Sequence, residues 1–287
     1  MSLFIALFIY VLFNLIIGTF YVPLPVNDRG TVRYHSFPYM TLALIGINVA
    51  VFGLWQAPDL IDFITADAYS PAYFAARDSF IFKTMNYGFS GIYLREGLTI
   101  GAFTTFTAMF MHGDFNHLVG NMIFLWAFGR RVEDACGPWR YLVFYLMAGM
   151  VANMGYAILA YNHVGYGIGA SGAISGIMGG YLLLFPTSWM ACLWIPGIVL
   201  KLAVRVMIFL GGEKSDKFNW TIQFPAFVVV IMYIAFDIIS TFETIETGEM
   251  SGNVGYTAHV TGFLSAILIF LFVKKDLLTR YISGRAL

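Results

Sequence analysis

Seven long apolar runs constrain the fold of this chain more than any other feature of its sequence. They lie at about 3–22, 38–57, 104–129, 139–161, 171–186, 222–242 and 256–273. Most of them reach the roughly 20 residues that a helix needs to cross about 30 Å of hydrocarbon. Because unpaired backbone groups are too costly in lipid, each run should be helical. The sequence therefore predicts an all-α polytopic membrane protein with seven spans.

The composition agrees with a lipid environment. Of the 287 residues, 59% are apolar and only 11% are charged, whereas soluble domains have about 25% charged residues. The formal net charge is zero, so there is no reason to expect a nucleic acid as partner. We expect the lipid bilayer to surround the protein and no soluble domain to accompany it.

The basic residues indicate an orientation. Thirteen of the sixteen Lys and Arg residues fall in alternate loops and in the C-terminal tail, and the opposite loops are acidic. Basic loops stay on the cytosolic side, so we expect a multi-pass protein of the cell (plasma) membrane with its N-terminus outside and its C-terminus in the cytosol. Cys136 and Cys192 then both face the reducing cytosol, where a disulfide is not expected.

Three stretches between or at the ends of the spans need separate interpretation. The first run lacks a basic leader and a small-residue cleavage site, which favours a retained helix over a signal peptide. Residues 58–98 predict an outer interfacial loop and residues 187–221 a cytosolic-face interfacial segment. The latter could instead hide an eighth spanning helix, but Lys201 and Arg205 argue against that.

Polar residues within the apolar runs suggest function, because they are costly in lipid. They are His112, Asp114, His117, Asn121, Ser171, Asp237 and His259. At 1.5 Å per residue, His117, Ser171 and His259 each lie roughly 20 Å above the inner boundary of their helix. Three helices therefore bring a serine and two histidines to one depth, which predicts a site.

Small residues would let the helices that carry this site approach closely. They recur every four positions on the fifth and seventh runs, as Gly172, Gly176 and Gly180 on one and Ala258, Gly262 and Ala266 on the other. Ser171 and His259 each neighbour their stripe. A hydrogen bond between the two is therefore expected to give a nucleophile with an adjacent base.

The residues around Ser171 could stabilise an oxyanion. Gly165, Gly167 and Gly169 predict an irregular approach, after which Ser171 starts a helix with unpaired backbone N–H groups and a positive dipole end. Gly169 and Gly172 would let a substrate backbone come near. His117 and Asn121, at positions i and i+4 of one helix, can donate further hydrogen bonds.

Other readings of these residues remain open. A serine in a glycine-rich helix often only packs, and a buried histidine is often structural. Asp237 reaches the same depth and could orient His259 or merely bind a water or a hydroxyl; we favour the structural role. His112 more simply fixes the loop before its helix, and Asp114 lies near the outer interface. No H-E-x-x-H pair or cysteine partner supports a metal site, so we predict none.

Three ordered motifs resemble those of a known family. "MHGDFNHLVGNMIFLWAFGRRVE" (111–133), "GASGAISGIMGGYLLLFP" (169–186) and "AHVTGFLSA" (258–266) are similar to segments of the rhomboid intramembrane serine proteases. The resemblance covers about residues 22–275. It implies a six-helix core with a Ser-His dyad that cleaves single-span or multi-span membrane protein substrates in or beside their transmembrane segments, without metal or cofactor.

By motif, Ser171 resembles the nucleophile, His259 the base, and His117 and Asn121 the oxyanion donors. The implied organisation is an additional N-terminal helix (1–22), a rhomboid-like core (23–275) and a cytosolic tail (276–287), with the sixth span as gate and residues 243–255 as cap. Two positions depart from the family pattern. Ser175 stands where some members have a tyrosine stacked on the histidine, and Ala266 stands where glycine is common.

Two rival functions remain from the sequence. A catalytically silent relative could bind membrane helices in the same cavity, and a proton or solute pathway could be built on Asp237 and His259. A pure binder needs neither Ser171 nor His259, so the presence of both favours the protease.

Overall fold

The computed structural model describes residues 3–29, 36–95, 99–159, 165–210, 219–247 and 255–284. Its helices are α1 (Leu3–Tyr21), α2 (Tyr39–Val51), α3 (Ala57–Thr65), α4 (Pro71–Tyr87), α5 (Gly91–Arg95), α6 (Thr99–Thr107), α7 (Phe115–Cys136), α8 (Pro138–Leu159), α9 (Ser171–Leu184), α10 (Ile195–Leu210), α11 (Ala226–Thr247), α12 (Tyr256–Leu264), α13 (Ile269–Phe272) and α14 (Lys275–Ile282). A π-helical turn at Phe52–Gln56 joins α2 to α3, and 3-10 turns lie at Ala108–Phe110 and Ser265–Leu268.

The structure confirms a helical, multi-pass membrane protein. Within the described ranges, three helical stretches are long and apolar enough to span a bilayer: Tyr39–Thr65, Pro138–Leu159 and Ala226–Glu243. A fourth is added if Tyr256–Phe272 and Lys275–Ile282, bent by 105°, count as one span. Shorter apolar helices lie at Ile5–Tyr21, Ile100–Phe110 and Ser171–Leu184. The count of one plus six spans therefore stays a prediction.

The run at 104–129 is not one helix, so the prediction of one continuous helix over these residues is wrong. The first part of the run belongs to α6 and its 3-10 turn, which ends at Phe110, and α7 begins at Phe115. Asp114 separates them because its extended backbone and its carboxylate cap α7, accepting a hydrogen bond of 2.9 Å from the His117 backbone N–H. A capping carboxylate satisfies a backbone donor that the helix leaves unpaired.

A small antiparallel sheet, which the sequence did not predict, joins distant parts of the chain. Its strands are β1 (Leu24–Asp28), β2 (Trp189–Leu193) and β3 (Ile222–Pro225), in the order β1-β2-β3. Asp28 at the end of β1 forms a buried ion pair with Arg131 of α7 and accepts a hydrogen bond from the Tyr181 hydroxyl of α9. The sheet therefore ties the segment after α1 to the core helices.

The two stretches expected at the membrane interfaces are largely helical. Between 58 and 98 the described residues form the rest of α3, then α4 and α5, and an ion pair of 2.7 Å joins Asp59 of α3 to Lys83 of α4. Between 187 and 221 they form β2 and α10, so a helix does form there, and the Lys201 ammonium group on it donates to the Thr221 carbonyl at 2.7 Å. Residues 96–98, 211–218 and 248–254, the last within the expected cap, lie outside the described residues.

Helix α9 lies at the centre of the core, and almost all of its residues are buried. A Cβ atom added to Gly172 would lie 2.6 Å from Ala152 Cβ of α8, and one added to Gly262 of α12 would overlap the Gly172 carbonyl. Contacts this close exclude any side chain at both positions. The close approach predicted from the small-residue stripes is confirmed, and it holds the start of α9 against α12.

Candidate active site

A cavity of about 850 Å³ lies where α7, α9, α11 and α12 meet the loop at 165–170. It has the size of ordinary ligand pockets, which run to roughly 1,000 Å³. Seven residues were predicted to be the nucleophile, the base, the oxyanion donors or their supports, and all of them line this cavity: His117, Asn121, Gly169, Ser171, Gly172, Asp237 and His259. The residues that the sequence placed at one depth on separate helices therefore share one cavity.

The loop before Ser171 is held by backbone hydrogen bonds. Gly167 and Phe89 exchange two of them, at 2.7 and 2.9 Å, and the Gly169 N–H donates to the Ala108 carbonyl at 2.8 Å. Gly169 has φ +132°, a conformation that side chains disfavour. A Cβ atom there would lie 2.8 Å from His117 Nε2 and 3.5 Å from Ser171 Oγ. The backbone of Gly169 thus lies beside both atoms, with no room for a side chain.

Ser171 is the first residue of α9, so its hydroxyl is beside the unpaired end of the helix. Ala170 precedes it, and no side chain makes a capping hydrogen bond there within the described part of the chain. The first backbone N–H groups of a helix have no partner inside the helix and carry a partial positive charge. This end of α9 can therefore receive a negatively charged oxygen.

His117 and Asn121 of α7 supply two donors to the same region. The Gly113 N–H donates to His117 Nδ1 at 3.4 Å, which assigns the ring proton to Nε2, the nitrogen beside Gly169. Asn121 is buried, with 8% of its surface exposed. Its side-chain nitrogen has no hydrogen-bond partner among the residues described, although it lines the cavity. A buried amide donor without a partner is unfavourable unless a ligand engages it.

His259 of α12 contacts Asp237 of α11, with His259 Nδ1 and Asp237 Oδ1 separated by 3.1 Å. Both side chains are only 15% exposed. The sequence left open whether Asp237 contacts His259 or binds a water or a hydroxyl. In the structure its carboxylate contacts His259. His259 and Ser171 line the same cavity, but among the residues that the structure describes they make no direct hydrogen bond, so the hydrogen bond expected from the sequence is not formed in this conformation.

The loop before α7 depends on a residue that the sequence analysis did not single out. Gln56 and His112 are both fully buried, and the Gln56 side-chain amide makes two hydrogen bonds of 3.0 Å with the His112 backbone. The His112 ring packs edge-on against the ring of His117, with centroids 5.1 Å apart. His112 thus fixes this loop as expected, but through its backbone. The sequence feature that could have indicated this contact is a glutamine at the end of an apolar run.

Comparison with known proteins agrees with these motifs. The profile of the Rhomboid domain matches residues 101–275. Rhomboid protein 1, mitochondrial, of Saccharomyces cerevisiae is 33% identical over 151 residues, which cover 51% of this chain and 37% of the yeast protein. Rhomboid-like protein 11, chloroplastic, of Arabidopsis thaliana is 38% identical over 170 residues, which cover 59% of this chain and 51% of the plant protein.

The aligned region thus spans about a third to a half of the length of these two curated relatives. The match to the domain includes α7, α9 and α12, the helices that carry the serine, the two histidines and the asparagine of the cavity. The chain belongs to the rhomboid family.

Proposed function

We propose that this protein is an intramembrane serine endopeptidase, which cleaves peptide bonds in or next to the transmembrane segments of membrane proteins. The observation that carries the proposal is the shared cavity, in which a helix-start serine, a histidine and two hydrogen-bond donors meet. Membership of the rhomboid family supports the same reaction class. The chemistry follows from four side chains: Ser171, His259, His117 and Asn121.

In the first half of the reaction, Ser171 Oγ attacks the carbonyl carbon of the scissile peptide bond. His259 Nε2 takes the hydroxyl proton as the new C–O bond forms. The tetrahedral intermediate then collapses, the C–N bond breaks, and the imidazolium returns the proton to the leaving nitrogen. The product is an acyl-enzyme on Ser171 and a free amine on the other fragment.

In the second half, a water molecule attacks the acyl carbon. His259 takes a proton from this water, the bond from the acyl carbon to Ser171 Oγ breaks, and the proton passes to Oγ. The free carboxyl fragment leaves and the serine is restored. Asn116 and Asn153 also line the cavity, and polar side chains of this kind suit the water that this step consumes.

The oxyanion formed in both halves would be held by three kinds of donor. These are the backbone N–H of Ser171, the Nε2–H of His117 and the side-chain amide of Asn121. Donors fixed in advance at the position where charge develops stabilise the transition state without reorganising. The side-chain nitrogen of Asn121, which has no hydrogen-bond partner among the described residues, is available to donate to this oxyanion.

The proposal extends to organisation and location. Residues 23–275 would form the protease core, residues 1–22 an additional helix and residues 276–287 a tail, and the substrates would be single-span or multi-span membrane proteins. The relatives' names place them in a mitochondrion and a chloroplast. The plasma membrane and the outward N-terminus therefore stay predictions.

Purified protein in liposomes with a fluorescently labelled single-span substrate tests the proposal. We expect a fragment from the wild type and from the control Ser283→Ala, and none from Ser171→Ala. A fluorophosphonate probe should label the wild type at Ser171, as located by mass spectrometry. Absence of both fragment and label, with the substrate still bound, would favour the silent binding protein instead.

A further inference from the structure

We infer that Asp237 is a positioning residue for His259 and completes a Ser-His-Asp arrangement whose members come from α9, α12 and α11. The inference rests on the proposed function and deepens it. Its basis is the 3.1 Å contact between His259 Nδ1 and Asp237 Oδ1, within a cavity that also contains Ser171. Sequence motifs alone assign a dyad; the third member comes from the geometry.

The contact selects the ring nitrogen that can act on Ser171. A carboxylate only accepts hydrogen bonds, so Nδ1 must carry the proton when His259 is neutral. The lone pair then lies on Nε2, the nitrogen that can take the proton of the serine hydroxyl. Asp237 thus fixes the tautomer and the ring orientation that the reaction requires.

The surroundings make this contact stronger than an exposed one. Both side chains are 15% exposed, and a hydrogen bond at low dielectric is stronger than one in water. Two further titratable groups among the described residues lie near His259: His117 across the cavity on α7, and Tyr256 on α12, whose ring centroid is 6.2 Å from that of His259. Among the groups described there, Asp237 is the one in hydrogen-bond contact with the ring.

Neither Ser175 nor Tyr256 supplies a ring stacked on the imidazole of His259. Ser175 follows Ser171 by one helical turn and presents a short hydroxymethyl group with no ring to stack on His259. Tyr256 meets His259 only by an edge contact, with an interplanar angle of 87°. The orientation of the base therefore depends on a carboxylate carried by a neighbouring helix.

Asp237→Asn gives the sharpest test because it keeps the shape and removes the charge. Its amide can donate to Nδ1, which favours the His259 tautomer with the proton on Nε2. In that tautomer Nε2 cannot accept the serine proton, so His259 cannot act as base. We expect kcat to fall by about 10³-fold with KM nearly unchanged, by analogy with the tautomer effect in Ser-His-Asp proteases. The kcat of Asp237→Glu should be at least about tenfold higher than that of Asp237→Asn, since the glutamate carboxylate can again accept a hydrogen bond from Nδ1.

The liposome cleavage assay supplies kcat and KM for the wild type, both Asp237 variants, Ser171→Ala and the control Asp276→Asn. The control also removes a negative charge, from an exposed aspartate of α14 that does not line the cavity, and should stay within about twofold of the wild type. Equal kcat for wild type and Asp237→Asn, or a loss that Asp237→Glu does not reduce, would overturn the inference. A wild type without Ser171-dependent cleavage would overturn the proposed function itself, and the inference with it.

A second measurement covers the case in which Asp237→Asn does not fold. Asp237→Ala opens space beside His259 for a small carboxylate from solution. Sodium formate should then increase its cleavage rate by about tenfold or more, whereas sodium chloride at the same ionic strength should not. Equal rates in the two salts would contradict a positioning role for Asp237.

Discussion

Gln56 and His112 exchange two hydrogen bonds of 3.0 Å across 56 positions of sequence. Gln56 Nε2 donates to the His112 carbonyl, and the His112 N–H donates to Gln56 Oε1. Gln56 ends the π-helical turn that joins α2 to α3, and such turns are frequent at functional sites. The turn therefore helps to fix the loop from which α7 carries His117 and Asn121 into the cavity.

Replacing Gln56 by leucine should lower activity and stability together. The change leaves the two backbone groups of His112 buried without partners, at a cost of about 1–3 kcal/mol for each. Thermal unfolding in detergent measures the stability, and the liposome assay measures cleavage. Asn14→Ala, which removes an exposed amide hydrogen bond to the Tyr10 carbonyl, serves as control. Unchanged melting temperature and rate in Gln56→Leu would show that the loop is held by other contacts.

Asn121→Ala should reduce kcat by about 10²–10³-fold with little effect on KM, as expected for loss of one oxyanion donor. The folded state should not lose a hydrogen bond, because the Asn121 amide nitrogen has no partner among the described residues. The melting temperature should therefore hardly change. A large loss of stability with intact catalysis would instead assign Asn121 to packing.

Gly169→Ala should inactivate the protein. Its Cβ atom would lie 2.8 Å from His117 Nε2, and the residue would have to keep φ +132°. Moving the His117 ring by even a few tenths of an ångström takes its donor away from the oxyanion position. Gly46→Ala is the matched control, because an added Cβ at Gly46 meets nothing within 4 Å. Cleavage by Gly169→Ala at the wild-type rate would argue against the close placement of these groups.

Arg131→Met should destabilise the fold by about 3–5 kcal/mol, because it removes the cation that pairs with the buried carboxylate of Asp28. The side chains of this pair are 4% and 0% exposed. Arg77→Met breaks a pair of 45% and 63% exposure and should cost at most about 1 kcal/mol. Guanidinium or thermal unfolding in detergent compares the two. Equal effects would mean that the Asp28 contact adds little to the link between β1 and the core.

The sequence predicted the site better than it predicted the path of the chain. Ser171 and His259 could be identified because each sits beside a stripe of small residues, at a matched depth and within a recognisable motif. The close approach of the Gly172 and Gly262 backbones, which leaves no room for a Cβ atom on Gly262, is the physical counterpart of that pattern. The gap between α6 and α7 was missed because His112, Gly113 and Asp114 lie inside an otherwise apolar run.

Other features depend on contacts that no local pattern encodes. The strands β1, β2 and β3 have four or five residues each, two of them contain proline, and Leu24 pairs with Leu193. Such short segments carry no clear alternation. The rotation of α11 about its axis decides whether Asp237 faces His259, and a uniformly apolar run does not fix that rotation.

The sheet anchors the first residue of α11. The strand β3 runs directly into this helix, and the Ala226 N–H at its start donates to the Ser188 carbonyl at 2.8 Å. Asp237 lies eleven positions further on, about 16 Å along the axis. A tilt of only about 10° around the anchored end would displace the carboxylate by about 3 Å and separate it from the imidazole. The ability of His259 to act as base would then depend on the angle at which this single helix stands.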